Sequence, residues 1–300
     1  ARGLANGVSR LRLLDRAGIA EREPFCAGIR AIYSPVTGIV DFARVARAYA
    51  DDVRSYGGAI ETARRVISIR TRSSSTIICD GGAQVESKYV LTCAGLQSDR
   101  VARMTGGKAD PKIVPFRGDY LVLRPEKRHL VNGNINPVPD PAFPFLGAHF
   151  TPRMNGEVWL GPNAVLAFAR EGYRRSTLHA RDLAETLTYP GFLKLLAAHL
   201  RSGAREMYRD VVRSAFVRAL QRYVPQLDPR DTLPGPSGVR AQAMTRDGAL
   251  VDDFVFDGTE TVLHVRNAPS PAATAALAIA RLVADDADRR FGLGSRAAVV

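Results

Sequence analysis

His149 is the one titratable side chain in an otherwise apolar stretch, Phe145 to Phe150, that reads as a strand. An imidazole in such a setting is either a general base held neutral or a satisfied core residue. Arg240 follows a Pro/Gly loop in the string Gly238-Val239-Arg240, also strand-like. A guanidinium there suits a carboxylate, because its planar fork donates two parallel N–H bonds; the alternative is an ordinary surface arginine on a strand edge. Two junctions from strand to helix are built of small residues: Thr92-Cys93-Ala94-Gly95, and Asn267-Ala268-Pro269-Ser270-Pro271-Ala272-Ala273. Backbone N–H groups at a helix start are unpaired and carry about half a positive charge, worth about 0.3–2 kcal/mol to a nearby anion. Small residues let a flat ligand approach that backbone; the alternative is a plain capped helix packed on a sheet. Cys93 reads as a small buried apolar residue, with no histidine near it in sequence to activate it.

Several chemistries are disfavoured. Cysteines 26, 79 and 93 form no CxxC pair, and the five histidines are never at ligand spacing, so neither a metal site nor a disulfide framework is expected. The formal charge is +12, but only five of the 42 basic residues are lysines and no basic run has interleaved aromatics. The excess therefore reads as a general Arg/Ala bias, compatible with steering an acidic substrate, and not as a nucleic-acid surface. No run approaches the roughly 18 consecutive apolar residues of a membrane span.

The positioning elements follow from periodicity and punctuation. Leu4, Val8, Leu11 and Leu14 predict a helix over 1–16, and Ala31 to Tyr33 a short strand. Asp41 caps a helix to about Tyr56, ended by Gly57-Gly58. Strands are expected at 60–69, 76–79 and 83–92, then a helix at 98–104. Strands at 114–123, 145–150 and 158–160 precede a helical stretch, 180–223, and a Pro/Asp loop, 225–236. Strands at 238–243, 250–256 and 262–265 lead to a last helix, 271–290, with Ser270 as N-cap and Pro271 in first position.

Particular strings narrow the reading. Thr37-Gly38-Ile39-Val40-Asp41, a helix, Gly57-Gly58, a three-stranded meander and Val90-Leu91-Thr92-Cys93-Ala94-Gly95 together resemble the FAD-dependent D-amino-acid-oxidase-like group. Pro115-Phe116-Arg117-Gly118-Asp119-Tyr120 is similar to the Pro-x-Arg-Gly strand that opens that group's substrate sheet. Within the group, Pro144 to Thr151, Trp159 to Phe168, Arg170-Glu171-Gly172-Tyr173, Gly238 to Ala243 and Asn267 to Thr274 resemble the L-2-hydroxyglutarate dehydrogenase family. The likeness runs from Arg2 to about Phe291. The GxGxxG turn with which such proteins begin is not found, so the chain reads as N-terminally incomplete.

The resemblance implies an α/β (mixed α+β) fold: part of a Rossmann-type FAD-binding domain, plus a substrate domain with a mixed, largely antiparallel sheet and helices. It implies a connecting helix and strand over 1–40, FAD-binding segments 41–110 and 236–300, and a substrate-binding domain over 111–235. The implied reaction is oxidation of L-2-hydroxyglutarate to 2-oxoglutarate, with hydride passing to FAD and electrons on to a quinone or other respiratory carrier. The alternatives are an enzyme of the same fold acting on another 2-hydroxy or 2-amino acid, or an inactive fragment. His149 is the implied base, although a histidine preceding this chain is a rival. Arg240 is the first choice for the C1 carboxylate, with Tyr120 in the same pocket; Arg117, three residues from Tyr120, faces the other side of the strand and reads as structural. Arg170, Tyr173 and Arg153 are the candidates for the distal carboxylate. Thr92, Ala94, Gly95, Gly238, Val239, Asn267, Ala268, Pro269, Ser270, Ala272 and Ala273 are the implied FAD contacts. Peripheral membrane association is a further expectation. The compartment follows the relatives: mitochondrial if eukaryotic, cytoplasmic or inner-membrane-associated if bacterial.

Overall fold

The structure is a computed structural model that describes residues 2–72, 74–138, 147, 149–268 and 270–293. The N-terminal third contains α1 (Arg2–Ala5), β1 (Arg12–Leu14), α2 (Arg16–Arg22), β2 (Ala31–Tyr33) and α3 (Phe42–Ser55). β3 (Val66–Thr71), β4 (Ser75–Cys79), β5 (Gln84–Ser87), β6 (Val90–Thr92) and α4 (Ser98–Arg103) follow. The middle holds β7 (Lys112–Leu123), β8 (His149–Pro152), β9 (Val158–Gly161) and β10 (Val165–Leu166). Four helices come next, α5 (Ala180–Leu187), α6 (Pro190–Ala198), α7 (Leu200–Val211) and α8 (Arg213–Leu220). β11 (Thr232–Met244), β12 (Val255–Gly258), β13 (Val262–Asn267) and α9 (Ala276–Phe291) complete the chain.

Two compact units share these elements: residues 1–46, 117–166 and 199–239 form one, and residues 47–116, 167–198 and 240–300 the other. In the first, β8 pairs antiparallel with β9, β9 with β7, and β10 and β11 also pair with β7. One face of this sheet carries Leu121, Leu123, Phe150, Val158 and Leu160, packed with Phe216, Val217 and Leu220 of α8 and with Val224 and Leu227. The spacing 216, 217, 220 gives α8 its single apolar stripe. Each fully buried side chain here contributes about 1.5–3 kcal/mol of transfer free energy.

In the second unit, β12 runs antiparallel to β13, and β13 parallel to β6. β3, β4 and β5 form a separate antiparallel meander. All six residues of β13 are buried. Its apolar members pack against α9, whose buried positions Val283, Ala287 and Phe291 recur every four residues, with Tyr89 stacked on Phe291 at 4.6 Å. The polar members of β13 must therefore find internal partners. Arg266 donates to the carbonyls of Lys108, Asp110 and Pro111 and pairs with Asp257, while the Asn267 amide donates to the carbonyls of Val251 and Asp253.

Several expectations hold. Asp41 accepts the Ala43 N–H at 2.9 Å to start α3, Gly57 (φ 81°) ends it, and α4, β7, β9 and β13 lie where the pattern puts them. Others are corrected. The helix over 1–16 is one turn followed by β1, because Gly7 (φ 74°) ends it and Arg12 to Leu14 pair instead with Ala31 to Tyr33. The 83–92 strand is two strands in different sheets, divided at Ser87, whose hydroxyl donates to the Tyr89 carbonyl at 2.5 Å. Strand 60–69 begins only at Val66, and 250–256 only at Val255. The Pro/Asp loop ends early: Thr232 to Pro236 already belong to β11, whose recorded pairing is to β7, and an unpaired strand side tolerates prolines. Phe145, Leu146 and Ala148 of the 145–150 strand lie outside the described residues; its described end forms β8.

Candidate active site and its family

The sheet of the first unit brings His149 and Tyr120 to either side of Gly161. His149 on β8 is the register partner of Gly161 on β9, and the Tyr120 ring carbon Cδ1 would lie 3.4 Å from a Cβ placed on Gly161. Gly161 has φ 129°, a conformation open only to glycine, and a Cβ there would also lie 3.4 Å from the Phe216 ring, so a side chain at this position would be both strained and crowded. Phe150 and Leu160, one step along each strand, point into the apolar core, so His149 points to the opposite face. The His149 Nδ1 lies 3.1 Å from the Gly147 carbonyl oxygen, which can only accept; Nδ1 therefore carries the proton and Nε2 keeps a lone pair. Burial pushes the His149 pKa down, with the Gly147 bond opposing it, so the ring stays neutral. A neutral, oriented imidazole is what a general base requires.

The other residues expected here are placed as follows. Arg117 is buried and bonds Asp119 at 3.0 Å and Asp210 at 3.2 Å, the structural role its position on the strand implies. Gly238 and Arg240 lie on the exposed side of β11, alternating with half-buried Val239. In the second unit Arg170 does not offer a free guanidinium. It is 2% exposed, forks onto the Asp99 carboxylate (Nη2 to Oδ2 2.8 Å, with Nη1 to Oδ1 completing the pair) and donates to the Leu96 carbonyl at 2.6 Å. Tyr173 sits half exposed in a turn. Arg170 is thus corrected from substrate contact to internal clamp, because a buried carboxylate already neutralises it.

That clamp belongs to a network the sequence pattern did not disclose. Arg100 pairs with Asp182 at 2.5 Å and Glu185 at 2.8 Å, and Asp182 also accepts the Arg170 backbone N–H at 2.8 Å. Burial opposes ionisation of Asp182 and Glu185; bonds from Arg170 and Arg100 to Asp182, and from Arg100 and Arg181 to Glu185, overcome it and hold both carboxyls below their usual range. Asp182 and Glu185, three residues apart on α5, were the one available signal: an acidic pair on a helix face asks for a cation. The network pins α4 and with it the 93–97 turn.

Two of the small-residue segments come together at one edge of the second unit's sheet. β6 and β13 run parallel, pairing Val262 with Val90 and His264 with Thr92, so Cys93-Ala94-Gly95 and Asn267-Ala268 leave neighbouring strands at the same, carboxyl end. Ligands of open α/β sheets bind at that end. Gly95 has φ 49°, and a Cβ placed there would find no atom within 4 Å. Cys93 is exposed, a correction to its expected burial: Thr92 takes the inward position, and the strand ends before Cys93. Partial burial nonetheless raises the Cys93 thiol pKa and keeps it protonated. The last helix starts at Ala276, not at Pro271, and Ser270 does not cap it. Residues 271–275 instead form a turn in which the Thr274 hydroxyl and the Ala275 N–H both return to the Pro271 carbonyl, and Ala275 (φ −99°, ψ 12°) is not helical. Ala272 and Ala273 lie in that turn, and Pro269 lies outside the described residues.

His264 ties the edge together. It is 1% exposed, with Nδ1 2.7 Å from the Thr92 hydroxyl and Nε2 2.7 Å from that of Thr105. Burial lowers its pKa, partly offset by Asp257. Unfolded imidazole titrates near 6.5, so below that pH the unfolded chain binds protons that the native His264 and His149 refuse. Unfolding free energy measured in urea is therefore expected to fall as pH drops from 7 to 5, and the slope to shrink in His264→Gln. An unchanged slope in that variant would exclude His264 as its source.

The model of the "FAD dependent oxidoreductase" family matches residues 1–286. The chain belongs to this FAD-dependent oxidoreductase family. It is 54% identical to the mitochondrial L-2-hydroxyglutarate dehydrogenase of Nematostella vectensis, over 97% of this chain and 68% of that one. It is 44% identical to the L-2-hydroxyglutarate dehydrogenase of Indibacter alkaliphilus, over 97% of this chain and 73% of the relative. Among solved structures, the FAD-bound L-alpha-glycerophosphate oxidase of Mycoplasma pneumoniae superposes with a TM-score of 0.67 at 18% identity, covering 97% of this chain and 67% of that one; this shows the fold. The expected α/β fold, with antiparallel-rich sheets, is that of the FAD-dependent oxidoreductases. The carboxyl edge of β6 and β13 fits the family's cofactor, because an open Gly95 and adjacent small residues admit a flat group to the backbone.

Proposed function

We propose that the protein oxidises L-2-hydroxyglutarate to 2-oxoglutarate with FAD as its resident cofactor. The observation that carries this reading is the 54% identity to an L-2-hydroxyglutarate dehydrogenase over 97% of the chain, joined to a neutral, oriented His149. Bound FAD supplies the two-electron acceptor for the hydride leaving C2. His149 Nε2 takes the proton of the C2 hydroxyl as the C2–H bond breaks and the carbonyl forms. Arg240 holds the C1 carboxylate through its paired N–H donors, and Tyr120 lines the pocket beside His149. Thr92, Ala94, Gly95, Gly238, Val239, Asn267, Ala268, Pro269, Ser270, Ala272 and Ala273 are the proposed cofactor contacts. The FAD side is assigned to 41–110 and 236–300, and the substrate side to 111–235 with 1–40 as its connecting segment.

A quinone or other respiratory carrier is the proposed electron acceptor, reached by peripheral membrane association. Among the described residues no helix is long and apolar enough to cross a membrane. The mitochondrial names of eukaryotic relatives support a mitochondrial site in a eukaryote; a cytoplasmic or inner-membrane-associated site is the proposal for a bacterium.

The deciding experiment follows flavin absorbance of the full-length, flavin-loaded protein under anaerobic conditions. L-2-hydroxyglutarate alone is expected to bleach it, leaving its D-enantiomer and L-amino acids inert. Bleaching by another hydroxy acid or an amine, and not by L-2-hydroxyglutarate, would overturn the substrate assignment. A full-length protein without flavin would overturn the enzyme reading as well.

A further inference from the structure

We infer that Arg153 binds the far carboxylate of a dicarboxylic substrate and so selects a 2-hydroxy diacid over a 2-hydroxy monoacid. The inference rests on the reading of His149 given above. It starts from the outer face of the first unit's sheet. His149 and Thr151 on β8 pair with Gly161 and Trp159 on β9, and their neighbours Phe150 and Leu160 point into the core. Alternation puts His149, Thr151, Gly161 and Trp159 together on the side away from that core. The Tyr120 ring rests against Trp159, centroids 5.3 Å apart, which sets it on the same side. Arg153 follows the end of β8, and its guanidinium carbon stands 4.3 Å from the centroid of the Trp159 ring.

This arginine is placed and charged as a carboxylate receptor should be. Stacking on Trp159 orients a weakly hydrated, planar cation in advance, which lowers the entropy lost on binding. Arg117 and Arg170 are already paired with buried carboxylates and Arg266 with the half-buried Asp257, whereas Arg153 forms no ion pair among the described residues. The nearby acid, Glu157, is taken by the Trp159 indole N–H at 2.9 Å. The Trp159 indole bond holds the Glu157 carboxyl below its usual range, with the charges of Arg128 and Arg153 adding to it, so both guanidinium groups lie near this end of the sheet.

The spacing fits one class of molecule. Two residues along a strand span about 7 Å, the step from the Gly161–His149 pair to the Trp159–Thr151 pair. In an extended five-carbon diacid the oxygens at C5 lie roughly 5 Å from C2, from ordinary covalent dimensions. With its C2 hydroxyl at His149, such a molecule reaches the guanidinium over Trp159. A monoacid ending at C4 leaves it unpaired.

The test uses the full-length, flavin-loaded enzyme and the variants Arg153→Met and Arg153→Lys. The kcat/KM ratio of L-2-hydroxyglutarate over L-2-hydroxybutyrate is expected to fall about 100-fold in Arg153→Met and to recover partly in Arg153→Lys, which keeps the charge. Glutarate, which cannot react, is expected to bind Arg153→Met more weakly by a similar factor in a calorimetric titration. A ratio within about threefold of the parent, with both substrates slowed alike, would overturn the assignment and leave Arg153 a hairpin residue. Should the parent enzyme fail to oxidise L-2-hydroxyglutarate while glutarate binding still depends on Arg153, the reaction assignment fails and the diacid site stands. Glutarate binding indifferent to Arg153 overturns the site whatever the substrate.

Discussion

Replacing His149 with glutamine is expected to slow anaerobic flavin reduction by L-2-hydroxyglutarate about 10²- to 10⁴-fold, the usual contribution of a positioned general base. Glutamine keeps a polar side chain on β8 but offers no lone pair basic enough to take a hydroxyl proton. The geometry makes the base efficient for two reasons. The Gly147 carbonyl fixes the tautomer, so Nε2 is always the accepting nitrogen. Burial lowers the imidazole pKa, so the fraction in the reactive neutral form stays high. The acid limb of the kcat/KM profile should consequently lie below the ordinary histidine value, and it should vanish in His149→Gln together with the rate. KM should move little, because the ring acts on the reacting proton and not on either carboxylate. A loss under tenfold, with the acid limb intact, would place the base elsewhere and leave His149 a packing residue.

Breaking the Arg170–Asp99 pair is expected to cost about 3–5 kcal/mol of folding stability, measured by urea unfolding of Arg170→Met. The partner left behind decides the size of the effect. Asp99 is 1% exposed, and its carboxylate would keep only the Ile113 and Arg100 backbone N–H groups. An unpaired buried charge is the expensive outcome, so the double variant Arg170→Met/Asp99→Leu should recover much of the loss, with strong non-additivity. Flavin affinity should fall in the single variant too, since Arg170 also holds the Leu96 carbonyl beside the 93–97 turn. A cost below about 1 kcal/mol would mean that water reaches and relaxes the Asp99 carboxylate.

What could be read from the sequence was local. Asp41 before an amphipathic run, Gly57 after it, and the apolar Val262 to Val265 strand each announce themselves within a few residues, and the structure keeps them. The family strings carried the overall fold because their order along the chain is a long-range signal. Local pattern failed where two elements share one pattern. The leucines at 4, 11 and 14 fit a helix as readily as a short strand, and Gly7 decided between them. Ser270-Pro271 looks like a helix start, yet the Pro271 carbonyl is taken up in a turn and the helix begins at Ala276. The site's electrostatics were invisible for a different reason. Asp99 and Arg170 are 71 residues apart and Arg100 and Asp182 are 82 apart, so nothing near either partner reveals which arginine is spent and which is available.

The parallel pairing of β6 with β13 joins Thr92 to His264 across 172 residues. Closing a flexible loop of that length costs about 4–5 kcal/mol of chain entropy before any contact offsets it. During synthesis β6 emerges early and must wait for nearly the whole remaining chain before its neighbour exists. Leu91 and Cys93 on its outer side stay exposed throughout. The cofactor edge is thus late to assemble, and β6 has long to meet a wrong strand. A flavin that binds only the paired edge would act as a late lock on folding, so cells short of the cofactor should accumulate this protein as an aggregation-prone intermediate and not as a native apoenzyme.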